Sequence, residues 1–518
     1  MQKRATLLAF LLPLALLACR REPVTHLKVV LIGLDGASWN MLDPLLKEGA
    51  LPHLDDVRRR GVTADLQTVE PVDSPTNWTT IATGRRPEIH GVTNFFATSD
   101  FILVPTVWER LAERGVKVGL YDYLVTWPPK TLRGGFMIPG WTRLDDSVTP
   151  PDVFSRAGVS PYSYSVERLA IPGSAVANAH RELAEKPERW NRLAEAFSID
   201  VGAVTFYSID LISHRFWRAS HPDEFPQGSP PIDPRQRGVM RDILQEVDRA
   251  VGRITETLGP ETAVLLVSDH GFHAAPEGVS RRWGFHLHNW FALAGLDPER
   301  DRFRVVNDWQ LVILRVDPGP DAEAVLGRLR DLFASATDAA GAPLLKVDTL
   351  RTGALKTDLK KGMPDLFVEL AQRSPEAYGF LLARPANWQM LERLCPQGQV
   401  MTSKGSAPCS ALAHVEEFSG AHLPTAVFFG AGGPIQHREQ RGRMHMLDLA
   451  PLLFYLAGQP IPDDLEGRLA KEILSPDALR SHPPQTIKAT APRPRGKAGP
   501  APEDPELLRR LRSLGYAN

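Results

Sequence analysis

Cysteine is nearly absent from this chain: three residues in 518 rule out a disulfide-stapled miniprotein, so stability has to come from a packed core. An excess of either charge is missing too. The 60 Lys+Arg balance 61 Asp+Glu for a net charge of −1, which supplies no basic surface for phosphate-driven binding to duplex nucleic acid. No internal repeat of fixed period is found, and no apolar run is long enough to cross a bilayer as a permanent helix. What is plentiful is proline, 45 residues, which points to many loops and at least one extended stretch. With 43% hydrophobic and 23% charged residues the chain can bury a sizeable core, and global disorder is excluded.

The apolar run from Ala5 to Ala18 follows Lys3 and Arg4 and has the length of a signal-peptide h-region. It ends Leu16-Leu17-Ala18-Cys19, which resembles the lipobox of bacterial lipoproteins. That resemblance implies removal of residues 1–18, acylation of Cys19 and a tether over 19–26. Arg20 is not the aspartate that resembles an inner-membrane retention signal. The expected location is therefore the periplasmic face of the bacterial cell envelope, held through the lipid at the outer rather than the inner membrane. Cys395 and Cys409 remain, with thirteen residues between them, and form a candidate disulfide in that oxidising compartment. By loop entropy such a link contributes about 3 kcal/mol.

Five short apolar runs rich in β-branched residues read as buried parallel strands: Leu27 to Leu34, Val118 to Val125, Val201 to Ser208, Thr262 to Ser268 and Thr425 to Phe429. Helical patterns alternate with them. The clearest covers 236–258, where Met240, Leu244, Val247, Val251, Ile254 and Leu258 form one apolar stripe. The expected fold class is α/β, a mostly parallel central sheet flanked by helices. Residues 305–370 repeat a smaller strand, helix, strand pattern and suggest an inserted cap. From His482 to Pro505 there are seven prolines in 24 residues and one large apolar residue, Ile487, so this stretch reads as a disordered linker. Leu507, Leu508, Leu511 and Leu514 then stripe a short helix. The organisation expected is one large domain over 27–475, with insertions at about 93–200 and 280–405, a linker over 476–505 and a helix over 506–518.

Open α/β sheets bind ligands beyond the carboxyl ends of their strands. Ile32-Gly33-Leu34-Asp35-Gly36 sets an aspartate at the first strand tip. Tyr207-Ser208-Ile209-Asp210 ends another, and His214 follows at i+4, a spacing that stacks both side chains on one helix face within reach of one cation. Ser268-Asp269-His270-Gly271-Phe272 offers two adjacent ligands, and Ser419-Gly420-Ala421-His422 places a histidine just before the last strand. Three carboxylates and three imidazoles at equivalent sheet positions would repel or stay unsatisfied unless cations sat among them. Asp73-Ser74-Pro75-Thr76-Asn77-Trp78 reads as a helix start with Ser74 as N-cap and Pro75 at N1. That geometry aims free N–H groups and the positive dipole end at an incoming phosphate. Serine is a poor nucleophile without a base or a metal, and the acidic and histidine cluster supplies such a setting.

Leu34-Asp35-Gly36, Ser74 to Gly84 continuing through Arg85-Arg86-Pro87-Glu88-Ile89-His90-Gly91, Asp210 with His214, Ser268-Asp269-His270-Gly271 and Gly420-Ala421-His422 occur in this order over about 28–475. Together they resemble the alkaline phosphatase superfamily. Within it the likeness is to the type I phosphodiesterase and nucleotide pyrophosphatase branch and its bacterial phosphohydrolase or phosphomutase members. The resemblance implies two divalent metal ions, zinc by family habit and manganese as the alternative. By position, Asp35, Asp269 and His270 would hold one and Asp210, His214 and His422 the other. Ser74 would be the nucleophile at the metals, and Asn77 falls where related diesterases place an asparagine that donates to a phosphoryl oxygen. Attack by Ser74 would give a phosphoryl-serine, which water hydrolyses. His90 and Arg85 read as helix-end packing and solvated charge, and His286 and His288 as packing rather than ligands.

Two departures narrow the expectation. Sulfatases of the superfamily need Cys/Ser-x-Pro-x-Arg, whereas here Pro75 follows Ser74 directly and Trp78 stands at +4, so sulfate-ester hydrolysis is not expected. Threonine is the nucleophile in many nucleotide pyrophosphatases, so Ser74 loosens a strictly nucleotide assignment. The expected function is metal-dependent hydrolysis of phosphate esters, phosphodiesters first, with a small molecule or a lipid headgroup as substrate. The alternatives are a phosphotransferase or phosphomutase with the same intermediate, and a noncatalytic envelope binding protein. Tyr121, Trp127, Trp141 and Tyr207 are candidates for lining a pocket, with core packing as the competing role. Oligomeric state is left open.

Overall fold

The computed structural model describes residues 27–489 apart from 144, 162–174, 227–231, 277, 310, 352–376, 388–389, 392–393 and 396–397. Cys19, the tether and the helix expected over 506–518 lie outside the described residues. Eight strands form the central sheet in the order Gly442–His445, Val62–Gln67, Thr425–Ala431, Ala263–Val267, Val29–Leu34, Val201–Phe206, Val118–Tyr123, Phe136–Pro139. All run parallel except Thr425–Ala431, which is antiparallel to both its neighbours. This corrects the parallel reading of the run from Thr425. A strand buried on both faces is continuously apolar in either direction, so its composition carries no orientation.

Val29–Leu34 is wholly buried at the centre. Its register sets Leu34 opposite Phe206 and Gly33 opposite Val267, so Asp35, Tyr207 and Asp269 leave the sheet at nearly one level. Helix Val239–Thr255 buries Met240, Leu244, Val247, Val251 and Ile254 against helices Ala175–Phe197 and Ser208–Ser220. The stretch 93–200 is not an insertion, because it contributes two central strands, Val118–Tyr123 and Phe136–Pro139, and helix Ala175–Phe197 packed beside them.

A second, antiparallel sheet of six strands has the order Leu345–Arg351, Gly379–Pro385, Leu311–Val316, Phe303–Trp309, Ser280–Phe285, Ala413–Phe418. Helix Ala322–Ala334 covers it, and Trp283, Leu314, Leu329, Phe333 and Leu381 form its separate core. The layer reaches Phe418, beyond the boundary expected at 405, because Ala413–Phe418 pairs with Ser280–Phe285 across a long sequence distance. Cys395 and Cys409 are disulfide-bonded at its margin, with Cα atoms 5.2 Å apart. The expected linker is also ordered at its start. Pro476–Ser481 is a helix capped by Ser475, and Thr486–Ile487 pairs with Ile461–Pro462. Ile487 remains exposed, so backbone pairing rather than apolar burial fixes that segment, and composition alone misses it.

Candidate active site

The two sheets meet at a short two-stranded antiparallel ribbon. Gly271–Ala274 leaves the central sheet after Asp269 and His270 and pairs antiparallel with Gly420–Leu423, which carries His422 opposite Phe272. The second sheet is thus entered just after one pair of candidate ligands, Asp269 and His270, and left just before a single one, His422.

Six expected ligands fall into two sets, Asp35 with Asp269 and His270, and Asp210 with His214 and His422; within each set the donor atoms lie within 4.8 Å of one another. Asp210 and His214 sit one turn apart on helix Ser208–Ser220, with His214 Nε2 3.4 Å from Asp210 Oδ1. His422 Nε2 lies at the same distance, 3.4 Å, from that oxygen. His270 Nε2 joins the sets, 3.4 Å from Asp269 Oδ2, 3.7 Å from Asp35 Oδ1 and 3.8 Å from Asp210 Oδ1. All are buried except His422, which is partly exposed and marks the open side.

The histidines share one device. Each Nδ1 meets a backbone carbonyl: His214 at Gly420 O, 3.1 Å, His270 at Gly271 O, 3.2 Å, and His422 at Val72 O, 2.8 Å. A carbonyl only accepts, so Nδ1 carries the proton and Nε2 turns its lone pair inward, as metal-ligating histidines do. Asp35 Oδ2 accepts from Trp78 Nε1 at 2.8 Å, and Asp269 Oδ1 from the Gly36 N–H at 3.3 Å. Gly36 has φ +75°, and a Cβ there would come within 3.0 Å of Asp210 Cα, so only glycine fits. Trp78, Gly36 and the three carbonyls are contributors that ligand-hunting in the sequence overlooks, because indole and backbone carry no ligand signature.

The electrostatics fit cations. Burial, then repulsion from Asp269 and Asp210, pushes Asp35 well above the ordinary carboxylate range. Burial and repulsion from Asp210 lift Asp269 to about 7. Burial also works against Asp210, but His214 and His422 outweigh it and hold it low. Burial drives His270 far down, with His422 adding to the effect, and lowers His214. For His422 the bonds and charge of Asp210 overcome burial and raise it. Three buried carboxylates around inward imidazole lone pairs are a donor set that divalent cations satisfy, and Asp269 Oδ2 has no hydrogen-bond partner among the described residues.

Ser74 Oγ lies 3.4 Å from Asp35 Oδ1 and 3.2 Å from His270 Nε2. It is not the N-cap. Asp73 takes that role, accepting from Thr76 N at 2.9 Å, and Ser74 is the first residue of helix Ser74–Thr83. The serine hydroxyl is therefore free of capping duty. The same fact reduces the backbone anion site, because Pro75 has no N–H and that of Thr76 is taken. Asn77 is fully buried with both amide atoms lacking hydrogen bonds, and no hydrogen bond among the described residues ties it to the ligand sets.

The remaining candidates lie apart from both sets. His90 bonds Thr80 Oγ1 at 3.0 Å, and Arg85 pairs with Asp464 at 3.3 Å. His286 and His288 belong to the second sheet's helix Leu287–Ala294 and its cap. Tyr121, Trp141 and Tyr207 are buried in the main core, and Trp127 Nε1 donates to Asp145 at 2.7 Å.

The profile of a family described as type I phosphodiesterase / nucleotide pyrophosphatase matches residues 29–378. Among solved structures, human ectonucleotide pyrophosphatase / phosphodiesterase 5 is similar at 15% identity and a TM-score of 0.40, over 86% of this chain and 99% of that one. The murine protein of the same name, an inactive form in complex with AMP, is similar at 15% identity and a TM-score of 0.41, over 87% and 100%. No curated protein matches the chain.

Proposed function

The chain belongs to the type I phosphodiesterase / nucleotide pyrophosphatase family and is a phosphoric ester hydrolase, and from that premise we propose that it cleaves phosphodiesters through a phosphoryl-serine at Ser74 between two divalent cations. The observation that carries this reading is that the Ser74 hydroxyl lies against Asp35 and His270 of one ligand set, whose His270 Nε2 stands 3.8 Å from Asp210 Oδ1 of the other. Asp35, Asp269 and His270 would hold one ion and Asp210, His214 and His422 the other. Nitrogen and carboxylate donors suit zinc, with manganese as the alternative. When bound, such a pair offsets phosphoryl charge and lowers the pKa of a nearby hydroxyl.

Ser74 Oγ then forms the bond to phosphorus as one ester oxygen departs as its alcohol with the serine proton, and water cleaves the resulting phosphoryl-serine, which still carries the second ester group, to give the phosphomonoester and free serine. Asn77 is assigned as a donor to a phosphoryl oxygen, since its buried side-chain amide has no hydrogen-bond partner among the described residues. The substrate class is small phosphate esters, nucleotide esters among them.

In the same reading Cys19 is lipidated and the protein is held at the periplasmic face of the outer membrane.

The test is metal analysis of the mature protein with turnover of bis-p-nitrophenyl phosphate and p-nitrophenyl phosphate, wild type against Ser74→Ala. Absence of stoichiometric metal together with unchanged turnover in the variant overturns the reading. Products formed in isotopic water separate hydrolysis from transfer, because only hydrolysis places the label in the released phosphate.

A further inference from the structure

Lys186 is fully buried and pairs with two buried carboxylates, Asp122 Oδ2 at 2.8 Å and Glu182 Oε1, and its Nζ donates to Thr205 O at 2.5 Å. None of the three side chains belongs to either ligand set. Desolvating three ionic groups is costly, and a well-packed apolar replacement is often at least as stable, so such a cluster calls for a role besides stability.

What the cluster touches is the start of the helix that carries Asp210 and His214. Glu182 accepts from Tyr207 N at 3.1 Å and from Ser208 Oγ. Helix Ala175–Phe197 thereby sets a carboxylate at the amino-terminal end of helix Ser208–Ser220, against the positive end of its dipole. Asp122 has φ +62°, the left-handed region that costs a non-glycine residue. Lys186 holds its carboxylate and the Tyr207 hydroxyl donates to its carbonyl, so the turn is braced on two sides.

Asp210 lies two residues beyond Ser208, and its N–H donates to Asp35 O at 3.1 Å. Displacement of Ser208 is therefore passed to Asp210 and, one turn later, to His214. Asp269 and His270 instead follow strand Ala263–Val267, while Asp35 is tied to this segment through its backbone alone, its N–H donating to Phe206 O at 3.0 Å and its carbonyl accepting from Asp210 N–H.

We propose that Asp122, Glu182 and Lys186 are positioning residues that set how tightly the Asp210, His214 and His422 set holds its cation. The proposal rests on the two-cation reading, and one titration separates the two. Full-length protein is stripped with a chelator and titrated with Zn²⁺. If wild type takes up fewer than two equivalents, the two-cation reading fails. If it takes up two, Glu182→Leu is expected to weaken one of them by about 10-fold or more and the other by a clearly smaller factor. Glu182→Gln, which keeps the acceptor for Tyr207 N–H and the Ser208 hydroxyl, restores most of the affinity. Ser208→Ala deletes one donor, is expected to fold, and weakens the same equivalent by a smaller factor. Wild-type affinity for both equivalents in Glu182→Leu, with only its melting temperature lowered, overturns the proposal. Should that variant not fold, wild-type affinity in Ser208→Ala does the same.

Discussion

His422 and His214 face each other through their Nε2 atoms at 3.1 Å, while the Nδ1 of each donates to a carbonyl. With Nδ1 protonated, two neutral rings would point lone pairs at one another, so a cation or an extra proton has to bridge them. Asp210 Oδ1 stands 3.4 Å from both nitrogens and completes a three-donor set. His422→Ala is therefore expected to lose one of two metal equivalents and at least about 10²-fold in kcat. Chelation should lower the melting temperature of wild type by several degrees, and of the variant by less, because an ion bound only by the folded state adds stability by mass action. Equal metal content in the two proteins would contradict the assignment.

Ser74 lies against Asp35 and His270 without serving as a cap, so its removal should spare the fold. Ser74→Ala is expected to keep both metals and its melting temperature while turnover falls by about 10³-fold or more. Acid quench during turnover traps a phosphoryl group on wild type and none on the variant. Asn77→Ala separates two roles: a phosphoryl donor costs about 10²-fold in kcat at constant stability, whereas a packing group costs stability alone.

His90 contributes to the pH dependence of folding away from the two ligand sets. Val92 N donates to its Nδ1 at 3.1 Å, so the proton sits on Nε2, facing Thr80 Oγ1. Burial holds its pKa at about 3, against 6.5 ordinarily. Below about pH 6.5 the unfolded chain takes up a proton that the folded chain refuses until about pH 3, so stability is lost as pH falls through that window, by at most about 1.4 kcal/mol per pH unit. His90→Gln cannot titrate, and its melting temperature should fall less steeply than wild type between pH 7 and pH 5. Identical slopes would place the acid sensitivity elsewhere.

The six candidate ligands are legible because each sits where an apolar run ends, five of them at or just after a strand tip and His422 just before one. Ser74 was legible as a helix start but not in its position. Asp and Ser are near-equal caps, and the choice between Asp73 and Ser74 depends on which side chain the ligand sets engage. Strands Val62–Gln67, Phe136–Pro139 and Gly442–His445 carry little strand signal in the sequence because they are short or mixed in polarity. The pairing of Ala413–Phe418 with Ser280–Phe285 has no local signal at all, so the sequence alone bounds the second layer too narrowly.

Gly420 shows how that second layer and the ligand helix are coupled. A Cβ at this position would lie 2.3 Å from Ser213 O, a helix carbonyl that cannot swing aside as a flexible side chain would. Gly420→Ala must therefore push Gly420–Leu423 away from helix Ser208–Ser220. Gly420 O is also the acceptor for His214 Nδ1, and His422 follows two residues later, so the displacement acts on two ligands of one set at once. The expected outcome is loss of one metal equivalent and at least about 10-fold in kcat, beyond the roughly 1–3 kcal/mol that overpacking costs in stability. Gly259→Ala, where an added Cβ meets nothing within 4 Å, is the control and should leave metal content and turnover unchanged. Two bound metals and wild-type turnover in Gly420→Ala would show that the two-stranded ribbon absorbs the contact without moving His422.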